Sequence, residues 1–365
     1  MKRVLFILNN LNGGGAERVI ANIANGYVVA GHEATILLGK EEGIYFDMLD
    51  KRVKIVELGA ITLLDYCRYL PKFLKKNSFS HVITASDYIS CAAIFAKFVH
   101  KIKVTVIATL HYDLPSQLKV LPKLNCIWLK LINKMIIVNA DKIIAVSTGV
   151  ASGFISILGR TPKHLAVIYN PVFDDNIYEL AKEEVIDFSN RIKCQHQLVC
   201  IGRLDIGKNQ KLLVEAVNIL SQKGYQLLVY LIGEGSQRNN LQALVNKYDL
   251  QKSIRLIGFQ NNPFKYLSKS DLLVSSSNYE GLPSTLVEAL ALGINVVSTD
   301  CPSGPNEILE HGKYGFLCPV EDPLLLSDAI ERALKTPIDS AILKQRAQAF
   351  SIPASIQKYL DVIQT

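Results

Sequence analysis

Short apolar runs rich in Val, Ile and Leu alternate along the chain with longer stretches in which apolar residues recur at helical spacing. The runs are typical of buried strands, and the longer stretches are typical of amphipathic helices. In the first half the predicted strands are Arg3–Leu8, Ala34–Leu38, Val53–Leu58, Val82–Ala85, Val104–Leu110, Ile143–Ser147 and Ala166–Pro171. In the second half they are Gln197–Ile201, Leu227–Ile232, Ile254–Phe259, Asp271–Ser276 and Ile294–Ser298. Since strands that alternate with helices form parallel sheets, the pattern predicts an α/β, doubly wound fold.

The length of the chain and its structure-breaking residues indicate how it divides. At 365 residues it is long enough for two domains with their own cores. Asn170-Pro171 interrupts regular structure, and the acidic segment Asp174–Asp187 is typical of a linker. We therefore predict a first domain over residues 1–173, a second over 190–340, and carboxy-terminal helices over 341–365.

The stretch SSSNYEGLPSTLVEALALG, residues 275–293, is the most informative part of the chain. A strand leads into a turn and a helix, with Ser284 expected at the N-cap and Gly293 at the helix end. Backbone N–H groups at a helix start bind phosphate, whereas carboxylates bind the vicinal hydroxyls of a sugar. Glu280 in the turn and Glu288 in the helix, with seven residues between them, therefore indicate a nucleotide-sugar site. The alternative is that both acids are solvated and only stabilise the helix N-terminus.

Two other loops follow predicted strands and contain candidate binding residues. Arg203 and Lys208 lie after the strand 197–201, where a guanidinium and an ammonium can clamp a pyrophosphate. The loop Gly13–Gly15 lets a ligand approach the backbone closely, before a helix expected to begin near Glu17. It does not match the dinucleotide-binding fingerprint, and a plain tight turn is the alternative.

Three further positions follow strands or begin helices. His111 directly follows the strand 104–110, at the carboxyl edge of a parallel sheet, where ligands bind. The alternative for His111 is a purely structural histidine. Ser147 is expected to cap the helix after it rather than to take part in chemistry. The segment 304–307 either borders a ligand or simply begins a helix.

Several sequence blocks together resemble the retaining glycosyltransferases of family 4. The spacing of Glu280 and Glu288 within EGLPSTLVEAL is similar to the family signature. NGGGAERV, GRLDIGKNQ, LIGEGSQR and GPNEIL resemble its other blocks, in the same order and over essentially the whole chain. The resemblance implies the GT-B fold, with two Rossmann-like domains facing each other across a cleft. It also implies that the last helix, Ile352–Ile363, returns to the first domain.

The resemblance implies a role for each candidate residue. Arg203 and Lys208 would stabilise the leaving diphosphate, and His111 would contact the transferred sugar. Glu288 would accept hydrogen bonds from the ribose and Glu280 from the donor sugar. The remaining implied donor-binding residues lie near the phosphates, the base and the helix start, and they are Gly14, Gly15, Gly258, Phe259, Gly281, Leu282, Pro283, Ser284 and Thr285.

Charge is distributed unevenly along the chain. Residues 1–173 contain 21 Lys or Arg against 11 Asp or Glu, whereas the remainder contains 19 against 22. Basic segments with aromatic residues at Tyr66–Phe79 and Leu118–Val138 indicate contact with an anionic membrane surface. The alternative is a set of surface helices with solvated lysines. No recognition-helix or stacking-aromatic pattern accompanies the charge, so nucleic acid is not expected as a partner.

Several common motifs are missing from the sequence, and their absence limits which location and which metal chemistry are expected. No apolar run reaches the roughly 18–20 residues that span a bilayer, and MKRVLFILNN is expected to be a buried strand rather than a signal peptide. Seven cysteines without a C-x-x-C pair predict a reducing cytoplasm and no zinc site. No Asp-x-Asp triplet is present to hold Mg²⁺ against a diphosphate, so no metal site is predicted.

Together the resemblance and these patterns predict a cytoplasmic, retaining, metal-independent glycosyltransferase, peripheral at the inner face of the cytoplasmic membrane. It would transfer a hexose or N-acetylhexosamine from a nucleotide-diphosphate sugar, most simply a UDP-sugar, without a further cofactor. The expected acceptor is a lipid-linked oligosaccharide or lipopolysaccharide. Two alternatives stay open, namely a nucleotide-sugar 2-epimerase of the same fold and a catalytically dead sugar-nucleotide-binding scaffold.

Overall fold

A computed structural model describes residues 1–185 and 194–364. The chain forms two compact units, the first made of Met1–Val172 with Phe350–Thr365 and the second of Phe173–Ala349. Residues 186–193, which include the end of the predicted linker and the predicted domain start at 190, lie outside the described residues, as does residue 365.

Each unit is built on one sheet of parallel strands, because most apolar runs are followed by a helix before the next strand begins. The first sheet contains β1 (Arg3–Leu8), β2 (Glu33–Leu38), β3 (Lys54–Glu57), β4 (His81–Thr84), β5 (Thr105–Leu110), β6 (Lys142–Ala145) and β7 (Leu165–Val167). The second contains β8 (His196–Ile201), β9 (Leu227–Ile232), β10 (Ile254–Gly258), β11 (Leu272–Ser275), β12 (Asn295–Thr299) and β13 (Phe316–Cys318). The strand orders are β3-β2-β1-β4-β5-β6-β7 and β10-β9-β8-β11-β12-β13.

Helices cover the sheets, and their bounds follow the chain order. They are α1 (Gly15–Val29), α2 (Leu63–Lys76), α3 (Asp87–Val99), α4 (Leu114–Val120), α5 (Lys123–Asn139), α6 (Thr148–Leu158), α7 (Asn176–Leu180), α8 (Gln210–Gln222), α9 (Arg238–Lys247), α10 (Phe264–Leu267), α11 (Ser284–Leu292), α12 (Pro305–Ile308), α13 (Pro323–Lys335), α14 (Ser340–Ala347) and α15 (Ile352–Gln364). Single 3-10 turns lie at Phe46–Met48 and Gln348–Phe350.

The strand order reverses at one point in each sheet. In the first sheet β1 lies between β2 and β4, and in the second β8 lies between β9 and β11. At such a switch point the loops that leave the neighbouring strands diverge, which opens a crevice at the carboxyl edge where ligands bind. The Gly13–Gly15 loop and the loops after β8 and β11 all begin at these positions.

The last helix belongs to the first unit because α1 offers it a flat surface. Gly26 faces Ile356 of α15 so closely that a Cβ at Gly26 would lie 2.6 Å from the isoleucine side chain. The Tyr27 hydroxyl donates a hydrogen bond of 3.0 Å to Tyr359 O. Burial of these side chains against the α1 face attaches the end of the chain to the unit that contains its beginning.

Three boundaries differ from the sequence predictions. The segment 118–138 is not one helix, since α4 ends at Val120 and α5 begins after Pro122, a residue that interrupts the hydrogen bonding of a helix. The division near the carboxy terminus falls at Phe350 rather than at residue 341, because α14 packs on α11 within the second unit. Part of the predicted linker forms α7, whose Leu180 O accepts a hydrogen bond from Asn262 Nδ2 at 2.8 Å.

Candidate functional site

The candidate residues after β8 and β11 meet at the carboxyl edge of the second sheet. Lys208 Nζ donates a hydrogen bond of 2.6 Å to Glu280 Oε1. Ser277 Oγ donates another of 2.6 Å to the same oxygen. The Glu280 side chain is only 10% exposed. Its carboxylate is therefore a held, partly desolvated group and not a solvated surface acid.

Hydrogen bonds between the two loops fix this pair in place. Asn278 N donates to Gly207 O at 2.8 Å, and Asn209 Nδ2 donates to Asn278 Oδ1 at 2.9 Å. Gly207 leaves room for an aromatic neighbour, because a Cβ there would lie 2.9 Å from the Tyr279 ring. The loop after β8 is thus shaped by the loop after β11 as much as by its own residues.

Two short polar residues of these loops were missed by sequence reasoning. Asp205 Oδ1 accepts a hydrogen bond of 2.9 Å from Lys208 N, which orients the lysine backbone. Ser277 holds the Glu280 carboxylate, and Ser277 O accepts a hydrogen bond of 2.6 Å from Thr299 Oγ1. Asp and Ser are common in turns of every kind, so their presence in the sequence gave no specific signal.

The electrostatics of the pair keep Lys208 charged. Burial lowers the pKa of Lys208, but the attraction and hydrogen bond of Glu280 together raise it by more, so the net shift is upward. Burial also raises the pKa of the neighbouring Cys200 thiol to about 12. At neutral pH the site therefore presents the Lys208 ammonium near a neutral, unreactive thiol.

Arg203 is held differently from Lys208. Its side chain is 73% exposed, and its Nε lies 3.7 Å from Asp205 Oδ2. The structure therefore brings Lys208 and Glu280 together but leaves Arg203 in solvent beside Asp205. A guanidinium on this loop is free to turn toward an anion at the carboxyl edge of the sheet.

The start of α11 corrects one prediction. Ser284 is the first helical residue rather than the N-cap, and Pro283 occupies the N-cap position without a side-chain hydrogen bond to the helix. A start without a side-chain cap presents backbone N–H groups of the first turn, such as those of Ser284 and Thr285, to an anion. Glu288, one turn further on, is only 2% exposed, which excludes a solvated surface acid. Gly293 ends the helix in the left-handed conformation with φ 76°, as predicted.

The segment before α12 braces the loop before α11. Glu280 N donates a hydrogen bond of 3.3 Å to Pro302 O. Gly304 has φ 93°, and a Cβ there would lie 2.4 Å from the side chain of Pro283 and 3.2 Å from the backbone of the Gly281–Pro283 loop. The segment therefore begins a helix, as one alternative held, and also shapes the loop that contains the candidate residues Gly281 and Leu282.

Gly258 and Phe259 lie at the end of β10, at the same edge of the sheet. Gly258 has φ 78°, and a Cβ there would lie 2.9 Å from Glu234 Oε1. Glu234 itself pairs with Arg238 at 2.9 Å. Phe259 is 52% exposed. An exposed aromatic ring next to bare backbone can stack on a planar base.

In the first unit, the glycine-rich loop is both a turn and an open helix start. Gly13 has φ 95° and makes the turn, which agrees with the tight-turn alternative. Gly14 is the N-cap residue of α1 and Gly15 its first helical residue, two residues before the predicted start at Glu17. A Cβ at Gly15 would meet nothing within 4 Å. The backbone at Gly15 is therefore accessible to a ligand.

His111 follows β5 and is neutral. Its Nε2 lies 2.7 Å from Thr109 Oγ1. Burial lowers the pKa of His111 to about 4, so the imidazole is uncharged at pH 7. The adjacent Tyr112 hydroxyl donates to Asp87 Oδ2, and Asn133 Nδ2 lies within hydrogen-bond distance of both groups. Sequence reasoning missed Asp87 and Asn133, which are 46 positions apart and are brought together only by the fold.

Ser147 caps α6, as predicted, with its Oγ accepting a hydrogen bond of 3.1 Å from Val150 N. Within the described ranges, no three His, Cys, Asp or Glu side chains converge as ligands for a metal ion.

The basic segment Tyr66–Phe79 has no apolar face in solvent. Tyr66 and Leu70 are buried, and Phe73 stacks on Phe79 with ring centroids 5.9 Å apart. Its basic residues are exposed around this buried seam. The solvated-lysine alternative therefore holds for this segment.

Helix α5 differs, because it turns an apolar face outward. Trp128 is 60% exposed, and the same face contains the exposed side chains of Leu124, Ile127 and Leu131. Exposed lysines flank it at positions 123, 130 and 134. An apolar face with flanking lysines is typical of helices that lie in a membrane interface. Among the residues that the structure describes, no helix combines the length and apolar character needed to cross a bilayer.

Two protein-family models match the chain, one in each unit. The model of glycosyltransferase family 4 matches residues 13–175, and that of glycosyl transferases group 1 matches residues 182–350. An uncharacterized glycosyltransferase of Methanocaldococcus jannaschii is 36% identical over 44% of this chain and 44% of its own length. N-acetylgalactosamine-N,N'-diacetylbacillosaminyl-diphospho-undecaprenol 4-alpha-N-acetylgalactosaminyltransferase of Campylobacter jejuni is 31% identical over 63% of this chain and 64% of its own length. The chain thus aligns with less than two thirds of each of these relatives.

A solved structure, HepE from Anabaena in complex with UDP-glucose, superposes with a TM-score of 0.83 at 21% identity and covers 100% of both chains. At this identity the likeness establishes the fold, and the predicted GT-B class of two Rossmann-like domains is confirmed. The family models together match most of the first unit and most of the second. The chain therefore belongs to the glycosyltransferases, with a family 4 module in its first unit and a group 1 module in its second.

Proposed function

We propose that the protein is a retaining glycosyltransferase that transfers a hexose or N-acetylhexosamine from a UDP-sugar to a lipid-linked glycan, without a metal ion. The observation that carries the proposal is the Lys208–Glu280 pair, 2.6 Å apart at the switch point of the second sheet. The UDP-glucose in the HepE complex supports a UDP-sugar as donor. The Campylobacter relative, a diphospho-undecaprenol N-acetylgalactosaminyltransferase, supports an acceptor on undecaprenyl diphosphate.

The donor would be held by groups of the second unit. The start of α11 and the Lys208 ammonium supply positive charge for the diphosphate, and Arg203 has the freedom to join them. Glu288 would accept hydrogen bonds from the ribose hydroxyls. The exposed ring of Phe259, next to Gly258, would stack on the uracil base.

In the transfer step, the bond between the anomeric carbon and the diphosphate oxygen breaks while a bond to the acceptor oxygen forms on the same face of the sugar. The acceptor hydroxyl proton passes to an oxygen of the leaving diphosphate. Lys208 and Arg203 stabilise the negative charge that develops on this leaving group. Glu280 fixes the sugar through its hydroxyls. The family resemblance also assigns the neutral His111 to the transferred sugar and the Gly14–Gly15 backbone to donor binding.

The acceptor would be reached at an anionic lipid surface, the cytoplasmic leaflet of a membrane that holds lipid-linked glycans. The exposed apolar face of α5 with its lysines supports this docking. A lysine near an anionic leaflet contributes about 1 kcal/mol, so a few of them suffice for reversible binding.

The experiment that tests the reaction incubates the purified protein with UDP-glucose, UDP-galactose, UDP-N-acetylglucosamine and UDP-N-acetylgalactosamine, each with and without an undecaprenyl-diphosphate-linked acceptor glycan. Mass spectrometry should detect a product one sugar longer for one donor, and NMR should show an α-linkage from an α-linked donor. Conversion of a donor to its 2-epimer without acceptor would instead indicate an epimerase. UDP binding without turnover of any donor would indicate a dead scaffold.

A further inference from the structure

A partly buried polar cluster in the first unit connects three elements beside His111. Asn133, in the middle of α5, is fully buried, and its Nδ2 lies 3.1 Å from the Tyr112 hydroxyl and 3.2 Å from Asp87 Oδ2. The Tyr112 hydroxyl also donates to the Asp87 carboxylate. Asp87 is the first residue of α3, and Tyr112 follows β5. The cluster therefore joins α3, the end of β5 and α5 through side-chain hydrogen bonds.

The residues on either side of Tyr112 are held as well. His111 contacts Thr109 as described, and Asp113 Oδ2 caps α4 by accepting a hydrogen bond of 2.9 Å from Ser116 N. The Tyr112 ring packs edge-on against Phe154 of α6 at 5.5 Å. The segment 111–113 is thus fixed by its neighbours on the sheet and on α6, and Tyr112 alone ties it to α5 among these contacts.

Helix α5 has one face packed against the first unit and an opposite face exposed to solvent. Asn133, Ile136 and Ile137 face inward and are buried. Trp128 and Leu131 lie on the face that is exposed and that the proposed function assigns to the lipid surface. A rigid helix moves as one body, so a shift of α5 on docking would displace Asn133 relative to Tyr112.

The cluster is sensitive to such a shift because its polar groups are desolvated. Burial raises the pKa of the Asp87 carboxyl, and the hydrogen bonds from Tyr112 and Asn133 lower it in part. Losing either donor would leave a partly buried carboxylate incompletely satisfied, which costs more than losing the same bond in water. Tyr112 is therefore expected to follow Asn133 and Asp87 when α5 moves.

We propose that Asn133 is a positioning residue that couples the docking of α5 on an anionic lipid surface to the placement of the His111–Asp113 segment. The inference rests on the proposed function for the lipid surface and for His111. It adds a route by which lipid contact at α5 reaches the donor sugar contact at His111, through Tyr112.

Hydrogen–deuterium exchange with mass spectrometry tests the coupling without knowledge of the donor sugar. The full-length protein is compared with and without vesicles of phosphatidylglycerol and phosphatidylcholine. In the wild type, vesicles should slow exchange in α5 and should also change the exchange rate in residues 111–116 by about fivefold, the effect of one hydrogen bond gained or lost. In Asn133→Leu and in Tyr112→Phe, α5 should still be protected while the change at 111–116 is lost.

A matched control is available on the same helix. Asn139 Nδ2 donates a hydrogen bond of 2.8 Å to Met135 O within α5. Asn133 Nδ2 makes the equivalent bond of 3.0 Å to Leu129 O, but Asn139 has no contact with Tyr112 or Asp87 among the hydrogen bonds described above. Asn139→Leu should therefore keep the response at 111–116. The two substitutions in the cluster are independent, so a folding defect in one leaves the other to decide.

The outcomes separate this inference from the proposed reaction. Protection of α5 without any change at 111–116 in the wild type would overturn the coupling alone, as would an unchanged response in Asn133→Leu or Tyr112→Phe. No protection of α5 would remove lipid docking and the coupling together. Failure of every UDP-sugar in the transfer assay would remove the proposed reaction while leaving an observed coupling in place.

Discussion

Lys208 and Arg203 have the same proposed role but are held in different ways. Lys208 Nζ lies 2.6 Å from Glu280 Oε1, whereas the Arg203 side chain is 73% exposed. Alanine at either position should lower kcat for sugar transfer by roughly 10²-fold, the scale of a lost contact to transition-state charge. Lys211→Ala is the control, since Lys211 lies in the adjoining first turn of α8 and pairs with Glu215 at 3.6 Å. Near-normal kcat in both folded variants would remove the diphosphate role.

Substitutions of Glu288 and Glu280 should affect different measurements, the first the binding of UDP and the second the transfer of the sugar. Glu288 is buried on α11, and Glu288→Gln keeps its size while weakening the hydrogen bonds that it accepts. UDP affinity measured by calorimetry should fall by about 1.5–3 kcal/mol, the range for a hydrogen bond to a charged group. Glu280→Gln should instead chiefly lower the rate of transfer. Wild-type UDP affinity in Glu288→Gln would contradict its ribose role.

At the residue scale, the sequence predicted the chemical candidates better than their surroundings. Glu280 and Lys208 could be assigned to one site in advance because each follows a parallel strand, and such strand ends share one edge of a sheet, but their direct hydrogen bond was not predicted. Ser277 and Asp205 could not, because polar residues in turns have many ordinary uses. The cluster around Tyr112 could not be predicted from the sequence either. Its members are separated in the chain, and only the packing of α3, β5 and α5 brings them together.

Helix α5 is the element that most directly tests the membrane proposal. Gln in place of Lys123, Lys130 and Lys134 of α5, together with Lys119 at the end of α4, should weaken co-sedimentation with anionic vesicles at low salt, because each lysine near the leaflet contributes about 1 kcal/mol. The control replaces four basic residues of α2 by Gln, namely Arg68, Lys72, Lys75 and Lys76, which surround a buried seam. Equal loss of binding in the control would show that net charge, not α5, determines vesicle binding. A wild type that does not co-sediment would favour a soluble acceptor.

Elements with strong local signals were predictable from the sequence, and those set by neighbours were not. The predicted strands of both sheets appear within one or two residues for most of their ends, because apolar runs buried on both faces have few alternatives. Strand β13 was missed, since three residues at the edge of a sheet make no recognisable run. The break between α4 and α5 at Pro122 was a readable signal, but the apolar spacing on both sides obscured it.

The contact between α1 and α15 makes a prediction about stability. Gly26→Ala would place a Cβ 2.6 Å from the Ile356 side chain, so overpacking should outweigh the gain in helix propensity. The free energy of unfolding, measured with urea, should fall by about 1–3 kcal/mol. Gly15→Ala is the matched control on the same helix, because a Cβ there meets nothing within 4 Å. If Gly26→Ala is as stable as Gly15→Ala, α15 is not closely packed on α1.

At the scale of the whole chain, alternating strands and helices were enough to predict two doubly wound sheets, but not which unit takes the end of the chain. α14 and α15 are adjacent in sequence, yet α14 belongs to the second unit and α15 to the first. Their partners differ for local reasons, because Gly293 closes α11 beside Ser340, while Gly26 opens a flat surface for Ile356. Such complementary surfaces depend on the folded backbone of each unit, so the sequence pattern of the two helices alone does not reveal them.

The positive charges that the second unit would place at the diphosphate bear on whether transfer needs a divalent cation. The proposed site meets the diphosphate with Lys208, Arg203 and the start of α11, and the raised pKa of Lys208 keeps its ammonium charged at neutral pH. The initial rate of transfer should therefore be unchanged by excess EDTA, with circular dichroism as a check that the fold is intact. A rate that falls in EDTA and returns with Mg²⁺ or Mn²⁺ would contradict this, since protein cations alone would then not suffice to stabilise the leaving diphosphate.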